Sequence, residues 1–267
     1  MILRNPREGM QGVAPENIFE AIEPRSGSVM GRCIVTEEVR PLMFPDRPYQ
    51  VRLDIDGGDE TLDTLLGASL ARARALCSGQ KEPARIYARC DPADSALLDT
   101  LRQYGFKDND GLMRLRMRLP GYMEAKQPMG CVVVYDRLED AQEQKYFLER
   151  YNELYGADMD MTWLSALRKK EGFCRILTVA PTGMAGEVVV WREDNCGVIE
   201  FFNTARRWRD MGVASCMLAL ACRFMKEKGC DEAVCDVRAR MPVARHVLEK
   251  TGFDPDVLIM RYPGIDV

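Results

Sequence analysis

The residues with the clearest chemical meaning stand together in FFNTARRWRDMGVASCML, residues 201–218. A β-type run ends at Thr204, a turn carrying Arg206, Arg207 and Arg209 follows, and a helical pattern opens at about Gly212. The first amides of a helix have no internal partner, and the helix dipole there favours negative charge. Gly212 and Ala214 keep side-chain bulk away from that end, so a diphosphate can approach the backbone closely. The three guanidinium groups add charge-assisted donors. The segment therefore reads as a seat for a phosphorylated ligand. An ordinary strand-to-helix turn with surface arginines would carry the same residues and stands as the alternative.

One residue before this segment, Glu200 offers a carboxylate. Period-two alternation puts Glu200, Phe202 and Thr204 on one face of the strand. Burial that raises its pKa toward neutrality would make Glu200 a general base; an edge carboxylate or an arginine partner would explain it equally well. The chain has one histidine, His246, whose helical neighbours Ala244 and Val247 turn it toward solvent. Nothing in the sequence supports a Ser–His or Cys–His unit built on it. The ten cysteines include no C-x-x-C pair, so no grouped ligand set for a metal is expected. They read as buried, reduced thiols. Tyr151, Tyr155 and Trp163 recur at helical spacing, which suits core packing or the lining of an acceptor pocket. Asp236 and Arg238 alternate on a later β run and suit either a polar acceptor or a surface ion pair.

Positioning these groups requires a strand, a turn and a helix in a larger frame. Along residues 131–263 the pattern runs CVVVYDRL as a strand, then a helix from about Asp140, where Asp140-x-x-Glu143 suits a capping box. Phe147, Leu148, Tyr151, Leu154 and Tyr155 give this helix an apolar face. A shorter helix carries Trp163, Leu164 and Leu167. Three β runs follow over 174–181, 186–193 and 197–204, then the helix from Gly212, a strand over 232–239, a helix ending at Gly252-Phe253, and VLIMRYP. An earlier segment, ARIYARCDPADSALLDTLRQYGF, repeats the strand–turn–helix–Gly-Phe pattern about one domain length before. It follows β runs in NIFEAIEP, VMGRCIVTEEV and YQVRLDID and a long helix, TLDTLLGASLARARALCSG, but lacks helices after its first strand. Two copies of one fold are expected, 1–120 and 121–267, parted near Pro120-Gly121. The 267 residues, 46% apolar and 29% charged, suit a folded chain of one large or two ordinary domains. A net charge of −4 gives no bulk pull toward nucleic acid. No apolar run of spanning length and no signal-type start are evident, so the chain is expected to be cytoplasmic and free of membrane.

The order of elements in the second copy, with Arg209-Asp210-Met211-Gly212-Val213-Ala214 opening its third helix, resembles the GNAT acetyltransferase superfamily. That family carries R/Q-x-x-G-x-G/A at this point, and the spacing from Ala244 to Gly252-Phe253 is also similar. The resemblance implies an α/β (α+β) fold of two GNAT-like domains, each a mixed, mostly antiparallel twisted sheet flanked by helices. It implies acetyl transfer from acetyl-coenzyme A to a primary amine of a small or amino-acid-like acceptor, without a metal. Arg209, Asp210, Met211, Gly212, Val213, Ala214 and Ser215 would hold the pyrophosphate. Phe202, Asn203 and Thr204 would pair with the pantetheine arm on a strand that splays from the next. A main-chain donor there would polarise the thioester carbonyl, and losing such a donor costs about 10²–10³ in rate.

The first copy looks degenerate. Its corresponding loop holds Gly57-Gly58 among Asp54, Asp56, Asp59 and Glu60, whose carboxylates would repel a pyrophosphate, so cofactor binding is assigned to residues 121–267. The chain departs from the family pattern at Met241, where an Asn is common, and at Leu248, where a Tyr protonates the departing thiolate. Leucine cannot donate, although a thiolate of pKa about 8.5 leaves fairly well unaided; Cys235 and Tyr262 are substitute donors. Two other functions stay open: an acyl-coenzyme A sensor or scaffold without turnover, and an aminoacyl transferase using charged tRNA. The sequence leaves the oligomeric state open, a homodimer included.

Overall fold

The computed structural model describes every residue except Gln11, Gly121, Tyr122 and Gly156. Period-two alternation builds the first sheet. Strands β1 (Ile2–Arg4), β2 (Ile18–Ile22), β3 (Val29–Val39) and β4 (Tyr49–Gly57) precede helix α1 (Asp59–Ser78), β5 (Ala84–Ala88) and α2 (Ser95–Gln103). On β3, Gly31, Cys33 and Val35 face inward while the residues between them are only half buried. Leu62, Leu65, Leu66, Leu70 and Ala73 of α1 pack in the same core as Cys33, Val35, Val51, Leu53 and Ile86. Strands β4 and β5 are parallel, so the chain must cross over between them, and α1 makes that crossing. A turn with Gly27 at φ 72° joins β2 directly to β3, where the second copy has two helices.

The second sheet contains β6 (Gly111–Arg118), β7 (Val132–Asp136), β8 (Cys174–Ala180), β9 (Gly183–Glu193), β10 (Cys196–Thr204), β11 (Glu232–Arg238) and β12 (Asp254–Arg261). Its order is β12-β6-β11-β10-β9-β8-β7. Helices α3 (Ala141–Tyr155) and α4 (Met161–Arg168) come between β7 and β8; α5 (Val213–Glu227) and α6 (Pro242–Thr251) flank β11 in sequence. Met217, Ala221 and Met225 of α5 share a core with Val188, Val190 and Ile199. Two glycines permit this close approach: a Cβ on Gly186 would stand 2.6 Å from Met217 Cε, and one on Gly197 would overlap Met225.

The chain thus forms two mixed, mostly antiparallel sheets flanked by helices, arranged as two compact units. The first comprises Met1–Leu112 with Leu258–Val267 and a short piece at the end of α3; the second holds Met113–Asn152 and Ala157–Val257. Strand β6, although it precedes Pro120, belongs to the second sheet, and the closing strand β13 (Gly264–Asp266) completes the first, in the order β1-β2-β3-β4-β5-β13. The linker expected at Pro120-Gly121 lies partly outside the described residues. Arg85, 1% exposed, holds β13 through Asp266 at 2.9 Å, and it also donates to Asn109 at 2.6 Å. Gly264 is required there, since a Cβ would come 2.6 Å from Arg85 Nε.

All ten cysteines are free thiols, eight of them buried. Among the described residues no helix is long and apolar enough to cross a membrane.

Candidate functional site

The turn into α5 is shaped by two left-handed residues. Arg206–Trp208 forms one 3-10 turn, Arg209 is extended, Asp210 has φ 62° and Gly212 has φ 78° at the helix N-cap. Aspartate tolerates that region better than most residues, and glycine enters it without steric cost. The first bond of the helix runs from the Cys216 amide to the Gly212 carbonyl at 3.0 Å, which leaves the amides of Val213, Ala214 and Ser215 to be satisfied from outside. Three other helices satisfy such amides with a side chain, whereas α1 and α6 have no side-chain cap. Asp94, Asp140 and Asp160 accept from the first turns of α2, α3 and α4 at 2.9–3.0 Å. At α5 no side chain caps the helix, a Cβ on Gly212 would meet nothing within 4 Å, and Met211 is 57% exposed. Val213, fully buried, anchors the helix start beneath this open end.

Of the arginines, Arg207 is engaged by the Thr182 carbonyl in the β8–β9 turn. Arg206 and Arg209 are exposed and have no ion pair among the described residues. Two buried polar atoms beside the turn, Thr204 Oγ1 and the Trp208 indole nitrogen, have no hydrogen-bond partner among the described residues. Uncapped amides, an open left-handed glycine, free cations and unsatisfied buried groups fit the diphosphate and polar arm of a coenzyme A ester.

Strand β10 pairs with β9 along its length, but with β11 only from Cys196 to Ile199, against Glu232 to Cys235. Phe202, Asn203 and Thr204 therefore lie where β10 has parted from β11, with β9 still behind them. An extended, amide-bearing ligand could pair with such an edge. A register shift between Ile199 and Phe201 inserts Glu200 as an extra residue. This β-bulge corrects the expectation that Glu200, Phe202 and Thr204 share a face. Phe202 packs against the core beneath α5. Glu200 instead accepts from the Trp191 indole N–H at 3.0 Å, on the side where Phe201 meets Phe147 and Tyr151. A bulge re-aims a side chain in this way, and alternation alone cannot reveal it.

Tyr151, Trp163, Phe147 and Phe201 form one aromatic group. Ring centroids lie 4.6 Å apart for Tyr151 and Trp163, 5.6 Å for Tyr151 and Phe201, and 5.7 Å for Phe147 and Phe201. Burial, with a smaller contribution from the Glu200 charge, pushes the Tyr151 phenol up to about 12. Tyr155 stands half buried near the end of α3.

Sequence reasoning missed the ion cluster that holds α3 to this face. Glu187 of β9 is 0% exposed and receives Arg150 of α3 through two bonds of 2.8 and 3.1 Å. Arg175 of β8, also buried, reaches Glu187 at 3.8 Å, Glu143 at 3.0 Å, and Asp136. The available signal was a charge inside each otherwise apolar run, CRILTVAP and GEVVVWRE. Glu143 thus serves Arg175, while Asp140 caps α3 by accepting from the Gln142 and Glu143 amides.

Other candidates fall away from the chemistry. Asp236 is bound by Arg114 through bonds of 2.8 and 2.9 Å, a surface ion pair. His246 is exposed. Leu248 is fully buried and Met241 packs against the same core. Burial raises the Cys235 thiol strongly, which makes it a poor proton donor near neutrality. Tyr262 lies in the first compact unit, edge-on to Tyr87 at 5.8 Å. In that unit the N-cap of α1, Gly58, has φ −71°, and the carboxylate oxygens of the exposed Glu60 stand 2.7 and 2.9 Å from where its Cβ would be, which puts negative charge at the helix start.

Residues 133–253 match the model of the acetyltransferase (GNAT) family. Among solved structures, the chain is similar to a GCN5-related N-acetyltransferase from Sphaerobacter thermophilus, at 15% identity and TM-score 0.53, over 96% of this chain and 82% of that one. It is also similar to a probable N-acyltransferase of unknown function from Enterococcus faecalis V583, at 13% identity and TM-score 0.54, over 92% and 61%. A GCN5-related N-acetyltransferase from Kribbella flavida aligns at 12% identity and TM-score 0.51, over 93% and 59%. No curated protein matches the sequence.

Proposed function

We propose that this chain, a member of the GNAT acetyltransferase superfamily through residues 133–253, transfers an acetyl group from acetyl-coenzyme A to the primary amine of a small acceptor. The observation that carries this reading is the open, uncapped start of α5 at Gly212 beside the parted edge of β10. Arg209, Asp210, Met211 and Gly212 with the amides of Val213, Ala214 and Ser215 would hold the pyrophosphate. Phe202, Asn203 and Thr204 would line the arm along β10.

The bound thioester supplies an acyl carbon activated toward amines. The chain's own groups have three tasks. A main-chain donor on the free edge of β10 polarises the acyl oxygen. Glu200, re-aimed by the bulge and facing the aromatic group on α3 and α4, accepts the proton of the acceptor ammonium, directly or through water. The leaving sulfur gets no donor from Leu248, which is buried in the core, so it departs as the thiolate, and the second proton that the nitrogen loses as the amide forms passes through water to the sulfur. A thiolate of pKa about 8.5 permits this, at a slower rate than with a built-in acid.

Leu248 also motivates a second reading, an acyl-coenzyme A sensor. Acetyl-coenzyme A incubated with the protein and a broad amine panel, and followed by chromatography, separates the two. Consumption with at least one amine, lost in Gly212→Glu, supports the transferase. Tight binding with no consumption across the panel supports the sensor. A thiol reagent is unsuitable because the protein's own cysteines would add background.

A further inference from the structure

Beneath the bulge, the Glu200 carboxylate is held from one side only. Its Oε2 accepts the Trp191 indole N–H at 3.0 Å, while Oε1 accepts no hydrogen bond among the described residues. Trp191 sits in the interior strand β9, opposite Val198, and is 9% exposed. Lys170, exposed at the end of α4, places its Nζ 4.1 Å from the centre of the same ring. A cation over an indole face draws electron density from the ring and makes the N–H a stronger donor. A donor of this kind stabilises the ionised carboxylate over the acid.

We propose that Trp191 is a positioning residue for Glu200: it fixes one carboxylate oxygen and leaves the other to take a proton, and Lys170 strengthens that hold. This rests on the reading of Glu200 as the base. The other titratable groups facing Glu200 are Tyr151 from α3 and Cys235 from β11. Burial raises both, the phenol to about 12, so neither carries charge near neutrality. Lys170, behind the indole, is the charged group on that side.

The test is the acid limb of the pH profile of kcat/KM. Trp191→Phe keeps the ring and removes the donor. The limb should move to higher pH by about 1 unit, the order of one charge-assisted hydrogen bond, with the calorimetric Kd for coenzyme A unchanged. Lys170→Met, at an exposed site where folding is not at risk, should move the limb in the same direction by a few tenths of a unit. A limb that stays in place in both variants overturns the proposal and leaves Trp191 a packing residue. Glu200→Gln separates this failure from that of the underlying reading. If the limb vanishes in Glu200→Gln yet is unmoved in the other two, only the role of Trp191 fails. If the limb survives in Glu200→Gln, the base is elsewhere and Trp191 has nothing to position.

Discussion

At the residue scale, side chains have separate tasks that one sequence window does not distinguish. Arg209, Gly212 and Ala214 were legible because their chemistry is local: a turn, a positive φ and a helix end lie within a few residues. Glu200 was legible as a carboxylate in the right strand, but its direction was not, because one inserted residue reverses the alternation on which the reading relied. Glu187 was invisible as a partner because Arg150 and Arg175 come from other elements. If Glu200 abstracts the proton, Glu200→Gln lowers kcat by about 10²–10⁴-fold while coenzyme A affinity is retained; steady-state kinetics beside calorimetry would show this. Glu187→Leu unpairs Arg150 and takes one of three carboxylates from buried Arg175, which keeps Asp136 and Glu143. It should cost about 1–3 kcal/mol of stability, measured by urea unfolding.

Elements bring these residues together through close packing and parting strands. Helix α5 lies low on the sheet only because Gly186 and Gly197 have no Cβ. Gly197→Ala drives a methyl group into Met225 and should cost about 1–3 kcal/mol, with the midpoint of thermal unfolding lowered. The helices and most strands of both sheets were legible from apolar spacing and from Gly stops such as Gly105 and Gly252, both at positive φ. The memberships of β6 and β13 were not. A strand carries its inward and outward pattern in its sequence, but the sheet it joins depends on distant partners, such as Asp266 for Arg85. The parting of β10 from β11 after Ile199 was likewise expected only through family resemblance.

For the whole molecule, buried thiols govern behaviour in alkali. Burial pushes Cys33 and Cys222 from 9.0 up to about 12. Each contributes full stability below the unfolded value near 9. That contribution declines as pH rises toward 12, because the unfolded chain releases these protons first. Together they should remove about 3 kcal/mol of stability per pH unit above 9, seen as a falling urea midpoint between pH 9 and 11. The two helix starts also differ: the Glu60 carboxylate stands beside Gly58 at α1, whereas Gly212 at α5 has nothing within 4 Å of where a Cβ would be, so one cofactor per chain is expected. Calorimetric titration of coenzyme A into the parent protein and into folded Gly212→Glu tests the central claim most directly. One site per chain is expected in the parent, with affinity weakened about 100-fold or more in the variant, about 2.7 kcal/mol. Equal affinity in the two proteins would contradict it.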